Sequence, residues 1–181
     1  PNIRGLYTPA RRVADFYAGF VYPGSLGTLA PESACPMESE NEALIPAATS
    51  LFRWSNWQEN KSVFVRRGAA LGDTFAVIVD DLDRAKVYVD VLWPGHITDV
   101  DIDAQGNVKA YTLEYQADAG NGQASAYRRT VDQESIRTWR NDKPYDYDGG
   151  GAERDNPYGF VPAVWCRHRN VGGDHGAPAI A

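Results

Sequence analysis

Apolar residues recur at helical spacing near the start of the chain. Thr8 and Pro9 form a helix-start signal, because a hydroxyl can cap free amide groups and proline suits the first turn. The apolar positions that follow are three or four residues apart and precede a Pro-Gly pair: Val13, Phe16, Tyr17 and Phe20. This pattern predicts a short amphipathic helix over residues 9–21, with these four residues on its apolar face.

A second helical region begins at a capping box. Ser39 and Glu42 can satisfy each other's backbone donors just before the next apolar run. Helical spacing then continues to Leu71, and Gly72 is a typical helix end. The pattern predicts one long helix or two consecutive helices over residues 40–71. Three large aromatic residues in this region are expected to pack against another element: Trp54, Trp57 and Phe64.

Beyond Gly72 the apolar period changes from helical to two. Six runs carry this signal: residues 74–79, 86–93, 108–115, 125–131, 135–139 and 160–167. Short stretches rich in Asp, Asn and Gly separate most of them, which favours an antiparallel meander, and a long polar loop is expected over residues 141–157. The predicted fold class is therefore α+β, with N-terminal helices in residues 1–73 followed by a mainly antiparallel β-sheet in residues 74–181.

Charge and cysteine content narrow the classes of function. The 18 basic and 24 acidic residues give a net charge of −6, which argues against a module that grips nucleic-acid phosphates. The wall of a channel is a different case, because an acidic or neutral wall lets DNA slide. Cys35 and Cys166, without a signal peptide or membrane-length apolar run, favour reduced thiols in the cytosol, with one disulfide between them as the alternative.

Two aspartate clusters invite metal or acid-base chemistry. Asp99, Asp101 and Asp103 with Gly106 resemble a calcium loop, but the glycine is misplaced and the twelfth position is Ala110. Alternating aspartates on the wet side of a strand that enters a turn are the preferred interpretation. A second cluster could join the first in a carboxylate-dependent hydrolase, although an Asp-rich turn between strands, which needs no such chemistry, is the preferred interpretation: Asp80, Asp81 and Asp83.

A third group lies near the end of the chain. Cys166, His168, Asp174 and His175 are close in sequence, but a zinc site needs paired cysteines or a helical histidine pair. A buried thiol and a partly buried imidazole on one strand face are the preferred interpretation. Gly172-Gly173 is not accompanied by the rest of a nucleotide-binding fingerprint. The sequence thus predicts no catalytic, cofactor-binding or metal-ligating residue.

Four segments, taken in order, resemble the portal proteins of tailed bacteriophages. The first is Tyr7-Thr8-Pro9-Ala10-Arg11-Arg12-Val13-Ala14-Asp15-Phe16-Tyr17, which continues to Tyr22-Pro23-Gly24. The second is Glu40-Asn41-Glu42-Ala43-Leu44-Ile45-Pro46-Ala47, followed by Trp54-Ser55-Asn56-Trp57-Gln58 and Gly68-Ala69-Ala70-Leu71-Gly72-Asp73. The third runs from Val87-Tyr88-Val89 to Pro94-Gly95-His96-Ile97-Thr98-Asp99-Val100-Asp101. The fourth is Tyr158-Gly159-Phe160-Val161-Pro162-Ala163-Val164, then Arg167-His168-Arg169-Asn170.

This resemblance implies a structural role. A portal subunit belongs to a ring, typically a dodecamer, at the capsid vertex of the virion, and the ring forms the channel for DNA packaging and ejection. The implied partners are further copies of the chain, the terminase large subunit, a head-tail adaptor, the capsid protein and double-stranded DNA that passes without sequence-specific binding. No membrane is involved. The chain would be a piece of the wing region of a longer subunit, without stem, clip or crown, and the family implies no catalytic residues and no cofactor.

Two other classes of function stay open at this point. The aromatic content, five Trp, ten Tyr and six Phe, also suits a small binding module for a carbohydrate or another protein. Such a module should present one concave aromatic surface. A carboxylate-dependent hydrolase should bring the two aspartate clusters within a few ångströms of each other.

Overall fold

The computed structural model describes residues 9–21, 40–118, 122–147, 149–169, 176 and 178. The described residues form helices first and antiparallel strands afterwards, which confirms the α+β prediction. The chain divides into two compact units. Residues 1–74 and 166–181 make up a helical unit, and residues 75–165 make up a strand unit.

The described part of the helical unit contains three α-helices: α1 Pro9–Val21, α2 Ile45–Trp54 and α3 Trp57–Leu71. A 3₁₀ turn, Glu42–Leu44, leads into α2. Two consecutive helices, one of the two predicted arrangements, therefore fill the second helical region. The break falls at Asn56, whose φ of 47° lies in the left-handed region and redirects the chain.

The ends of this helical region are set by side-chain and backbone caps. The Asn41 side chain accepts a hydrogen bond of 3.1 Å from the amide of Ala43 and so caps the 3₁₀ turn. Ser39, the first residue of the expected capping box, lies outside the described residues. At the other end, Gly72 adopts a φ of 91°, and its amide donates to the Gly68 carbonyl at 2.9 Å.

The expectation that both phenylalanines of α1 lie on its packed, apolar face is wrong. Phe16 is 69% exposed and Phe20 is 76% exposed, whereas Ala14 and Ala18 are buried. Helix α1 packs against α3, and small side chains let two helix backbones approach closely, so the alanine stripe faces inward. The bulkier aromatic stripe is left outside.

Of the three aromatic residues in the second helical region, Trp57 packs against another helix as expected, whereas the ring contact of Phe64 is with Trp57 of its own helix. The Trp57 ring lies 5.8 Å from the ring of Phe52 and 6.4 Å from that of Phe64. By contrast, 41% of Trp54 is exposed at the end of α2. The expectation that Trp54 is packed is therefore wrong.

The described residues contain nine strands, of which six follow the predicted runs and three are additions, at residues 97–102, 143–144 and 153–155. They are β1 Asp73–Asp81, β2 Lys86–Leu92, β3 Ile97–Ile102, β4 Val108–Asp118, β5 Ala124–Asp132, β6 Ser135–Arg140, β7 Lys143–Pro144, β8 Glu153–Asp155 and β9 Ala163–Arg167. Strands β7 and β8 lie in the region expected to be a long loop, and both pair with β6. The last strand begins three residues later than predicted, because Asn156 holds the preceding turn through a bond of 2.9 Å to the Phe160 carbonyl.

The strands form two sheets. One has the order β2-β1-β9, and the other is a meander in the order β3-β4-β5-β6-β7, with β8 also paired to β6. Among the described residues, one apolar core contains side chains from both sheets: Phe75, Val77, Val79, Val108, Tyr111, Leu113, Tyr127, Val131, Ile136 and Val161. Tyr111 and Leu113 of β4 and Tyr127 and Val131 of β5 lie in this core, whereas Glu114 of β4 and Arg128 of β5, on the alternate positions, belong to the outer face of the larger sheet.

The buried tyrosines of this core predict that the folded state loses stability at alkaline pH. Burial raises the pKa of both Tyr111 and Tyr127 above the ordinary value of 10.0. The folded state keeps these phenols protonated where the unfolded chain ionises them, so their contribution to stability is complete below pH 10 and decreases above it. The free energy of unfolding, measured in urea against pH, should therefore fall above pH 10.

Replacing both residues by phenylalanine provides the control. The Tyr111→Phe, Tyr127→Phe double variant should lose part of this decline with pH, because phenylalanine carries no ionisable group. Phenolate absorbance gives a second reading. If every tyrosine ionised near pH 10 while the strands stayed folded, burial of these two phenols would be refuted.

Candidate functional site

The three aspartates that were weighed against a calcium loop each have separate surroundings. Asp99 and Asp101 are exposed on β3, and Asp101 forms an ion pair of 3.3 Å with Lys109. The Asp103 carboxylate accepts from the Asn107 side chain at 2.8 Å, the Asn107 amide at 2.8 Å and the Gln105 amide at 2.9 Å. The bonds from Asn107 are the main reason that its pKa is lowered. Asp99 and Asp101 therefore lie on a strand and Asp103 lies in the turn that follows it, which is the arrangement that the sequence favoured.

The second aspartate cluster is divided in the same way. Asp81 is buried and accepts hydrogen bonds of 3.1 Å from both the amide and the guanidinium of Arg84. Asp80 accepts a bond of 3.4 Å from the Tyr158 hydroxyl, whose pKa is raised by burial and by the nearby carboxylate. The Asp83 carboxylate lies beside Gly149. Within the described ranges, no three acidic, histidine or cysteine side chains converge as a metal site would require.

The group near the end of the chain is only partly described. Cys166 lies in β9 as a free, half-buried thiol, and burial raises its pKa. His168 follows the strand and packs edge-on against Tyr17, with ring centroids 5.2 Å apart. The other residues considered with them lie outside the described residues: Cys35, Gly172, Gly173, Asp174 and His175.

The outer face of the larger sheet contains a groove that the sequence did not predict. The groove has a volume of about 330 Å³. Its lining residues come from four neighbouring strands and the turn after β6: Thr98, Glu114, Tyr115, Gln116, Ala126, Tyr127, Arg128, Trp139 and Asp142. This volume is at the lower end of the range of small-ligand sites.

Strand register explains the composition of this groove. Glu114 of β4 lies opposite Arg128 of β5, which lies opposite Trp139 of β6. The Arg128 guanidinium carbon is 4.6 Å from the centroid of the Trp139 ring, a distance typical of a cation-π contact. Alternation along β4 and β5 was visible in the sequence, but the meeting of Arg128 and Trp139 depends on the pairing of β5 with β6.

The helical unit carries a different feature, which is exposed apolar side chains. The Phe16 and Phe20 rings stack with centroids 6.2 Å apart, and both are largely exposed. Five other large apolar residues of the helices are also more than one third exposed: Val21, Leu44, Ile45, Trp54 and Leu71. Phe16 and Phe20 are adjacent, and adjacent exposed apolar rings are typical of surfaces that contact another molecule.

Two further observations bear on identity. Among the residues that the structure covers, none of the helices has the length and apolar character needed to cross a membrane. Comparison with known proteins identifies no matching family model and no matching curated protein.

Proposed function

We propose that this chain is part of a structural subunit of a bacteriophage portal ring. The ring forms the channel for DNA packaging and ejection and the platform for the terminase and the tail adaptor. The four sequence segments that resemble portal proteins support this assignment, and so does the order of the elements, helices first and antiparallel strands second. The chain would then act through assembly at the capsid vertex.

The exposed phenylalanines of α1 are the structural observation that carries the proposal. A closed ring uses two different surfaces on each subunit, so that each copy contacts one neighbour on either side. Burying one phenylalanine side chain is worth about 1.5–3 kcal/mol, so leaving Phe16 and Phe20 in water is unfavourable for a monomer. A neighbouring subunit that covered them would recover this free energy.

The net charge of −6 supports the channel role in a second way. DNA that moves through a ring must not be held by its phosphates, and an acidic protein has little tendency to hold them. In this proposal double-stranded DNA passes without sequence-specific binding. Nucleotide hydrolysis during packaging belongs to the terminase partner.

Native mass spectrometry of the whole gene product that contains this chain tests the proposal. We expect a closed ring, most simply of twelve copies, and only monomers or weak association for the 181-residue chain alone, because part of the lateral contact area is then missing. The Phe16→Asp, Phe20→Asp double variant should shift the whole protein towards monomers, since it places charge in the contact.

A matched variant separates a specific contact from a general effect of charge. Gln133→Asp adds a negative charge at the exposed turn between β5 and β6 and should leave the ring intact. Circular dichroism shows whether each variant is folded. A whole protein that stays monomeric at high concentration and moderate salt would contradict the portal assignment.

A further inference from the structure

The floor of the groove on the larger sheet is formed by a small residue, Ala126, whose backbone is fixed by hydrogen bonds. Ala126 lies opposite Gln116 in the register and leaves a depression between taller neighbours. The Ala126 amide donates to the Asn141 side chain at 2.9 Å, and the Asn141 amide donates to the Ala126 carbonyl at 2.8 Å. These two bonds fix the turn that carries Asp142 at the end of the groove. The cavity is therefore formed before any ligand arrives.

One wall of the groove is aromatic. Trp139 is half-buried, and Arg128 restrains it through their cation-π contact. An indole offers a broad apolar surface and one N–H donor, which suits a ligand with both apolar and polar faces. Because Arg128 and Trp139 stand on adjacent strands, their positions depend little on loop motion.

The remaining walls offer acceptors and donors of mixed charge. Glu114 and Asp142 supply carboxylate acceptors, and Arg128 supplies guanidinium donors. Gln116 adds an amide that can both donate and accept. A polyanion would meet the two carboxylates, and a polycation would meet the guanidinium. This balance favours an uncharged ligand with many groups that each donate and accept.

We propose that the groove binds a neutral saccharide of one or two rings. Sugar hydroxyls can donate to Glu114 and Asp142 and accept from Arg128, while the apolar C–H side of a sugar ring packs against the part of the Trp139 indole that the Arg128 guanidinium leaves uncovered. The groove volume of about 330 Å³ admits a ligand of this size. This inference goes beyond the proposed ring function and does not depend on it, because it rests on the strand unit alone.

Titration of the isotope-labelled chain with three neutral sugars tests this site. The probes are a methyl glucoside, a methyl galactoside and chitobiose, and the readout is the indole N–H resonance of Trp139, assigned with Trp139→Phe. At least one sugar should shift this resonance in a saturable way, with a dissociation constant on the order of 1 mM, typical of a shallow and open site. Hexalysine and a single-stranded oligothymidine serve as cationic and anionic comparisons and should bind at least tenfold more weakly.

Variants locate the binding in the groove. Glu114→Gln and Gln116→Ala change exposed side chains and should each weaken binding by roughly fivefold to tenfold, because each removes hydrogen-bonding capacity for the ligand. Glu134→Gln removes the same charge at the exposed turn between β5 and β6, outside the groove, and should leave the affinity unchanged.

Three results would overturn the proposal. The first is the absence of any saturable shift with all three sugars. The second is tighter binding of hexalysine or oligothymidine, which would assign the groove to a basic protein segment or to nucleic acid. The third is sugar binding that the Glu114→Gln and Gln116→Ala variants leave unchanged, because the sugar would then occupy another place. None of these results depends on whether the whole protein forms a ring.

Discussion

Replacing Phe75 with alanine should destabilise the strand unit by about 3–5 kcal/mol. Phe75 is 2% exposed and lies in β1, and its ring centroid is 5.2 Å from that of Tyr111 in the facing sheet. The substitution removes contacts between the two sheets and leaves a cavity that a close-packed core fills poorly. Urea unfolding followed by circular dichroism measures the loss.

Phe160 provides the matched comparison for this substitution. Phe160→Ala deletes the same atoms from a side chain that is 56% exposed, so the expected cost is below about 1 kcal/mol. The difference between the two variants isolates burial from chemistry. Equal losses in both variants would show that Phe75 does not join the sheets.

Replacing Gly72 with alanine should be the most damaging change in the helical unit. Gly72 has a φ of 91°, and left-handed backbone costs about 1–2 kcal/mol for a residue with a Cβ. An added Cβ would also overlap the carbonyl oxygen of Gly176, which is backbone and cannot rotate away. A total loss of about 3 kcal/mol or more is expected in thermal or urea unfolding.

The same substitution at Gly106 separates the cost of backbone strain from the cost of steric overlap. Gly106 has a φ of 89°, nearly the same as Gly72, but an added Cβ would meet no atom within 4 Å. Gly106→Ala should therefore cost only the backbone penalty, about 1–2 kcal/mol. If both variants lost the same stability, the close approach of Gly72 and Gly176 would not contribute.

Local signals in the sequence were sufficient for the helices and for six of the nine described strands. The end of α3 at Gly72 and the change of period after it follow from chemistry within a few residues. The strands β1, β2, β4, β5 and β6 were visible because each has one face in the core. By contrast, β7 and β8 are two and three residues long and form only because β6 offers them a partner.

Features that depend on a distant partner were not predictable. Phe16 and Ala14 both fit an apolar stripe on α1, and which stripe faces inward depends on the packing of α1 against α3. The groove has the same origin. Arg128 and Trp139 are eleven positions apart in the sequence, and only the register between β5 and β6 brings them together. Periodicity identifies a face but not its neighbour.

The position of Asp103 in a turn could be predicted from simpler reasoning. Asp103 lies within a turn whose backbone amides are close at hand, so the local loop occupies its carboxylate. Turn chemistry explained this aspartate from the sequence alone. The partner of Asp80 was not evident, because Tyr158 is far along the chain.

The division of the chain into two units has a consequence for the order of folding. The helical unit is discontinuous in sequence, since residues 75–165 interrupt it, and joining its parts from a flexible chain carries the entropy cost of closing a long loop. Strands β1 and β9, where the interruption begins and ends, are hydrogen-bonded neighbours. Once the strand unit has folded, the two crossing points are held about one strand spacing apart, roughly 4.8 Å. The folded strand unit thus lowers the entropy cost of joining the two parts of the helical unit. We therefore expect the helical unit to form after the strand unit.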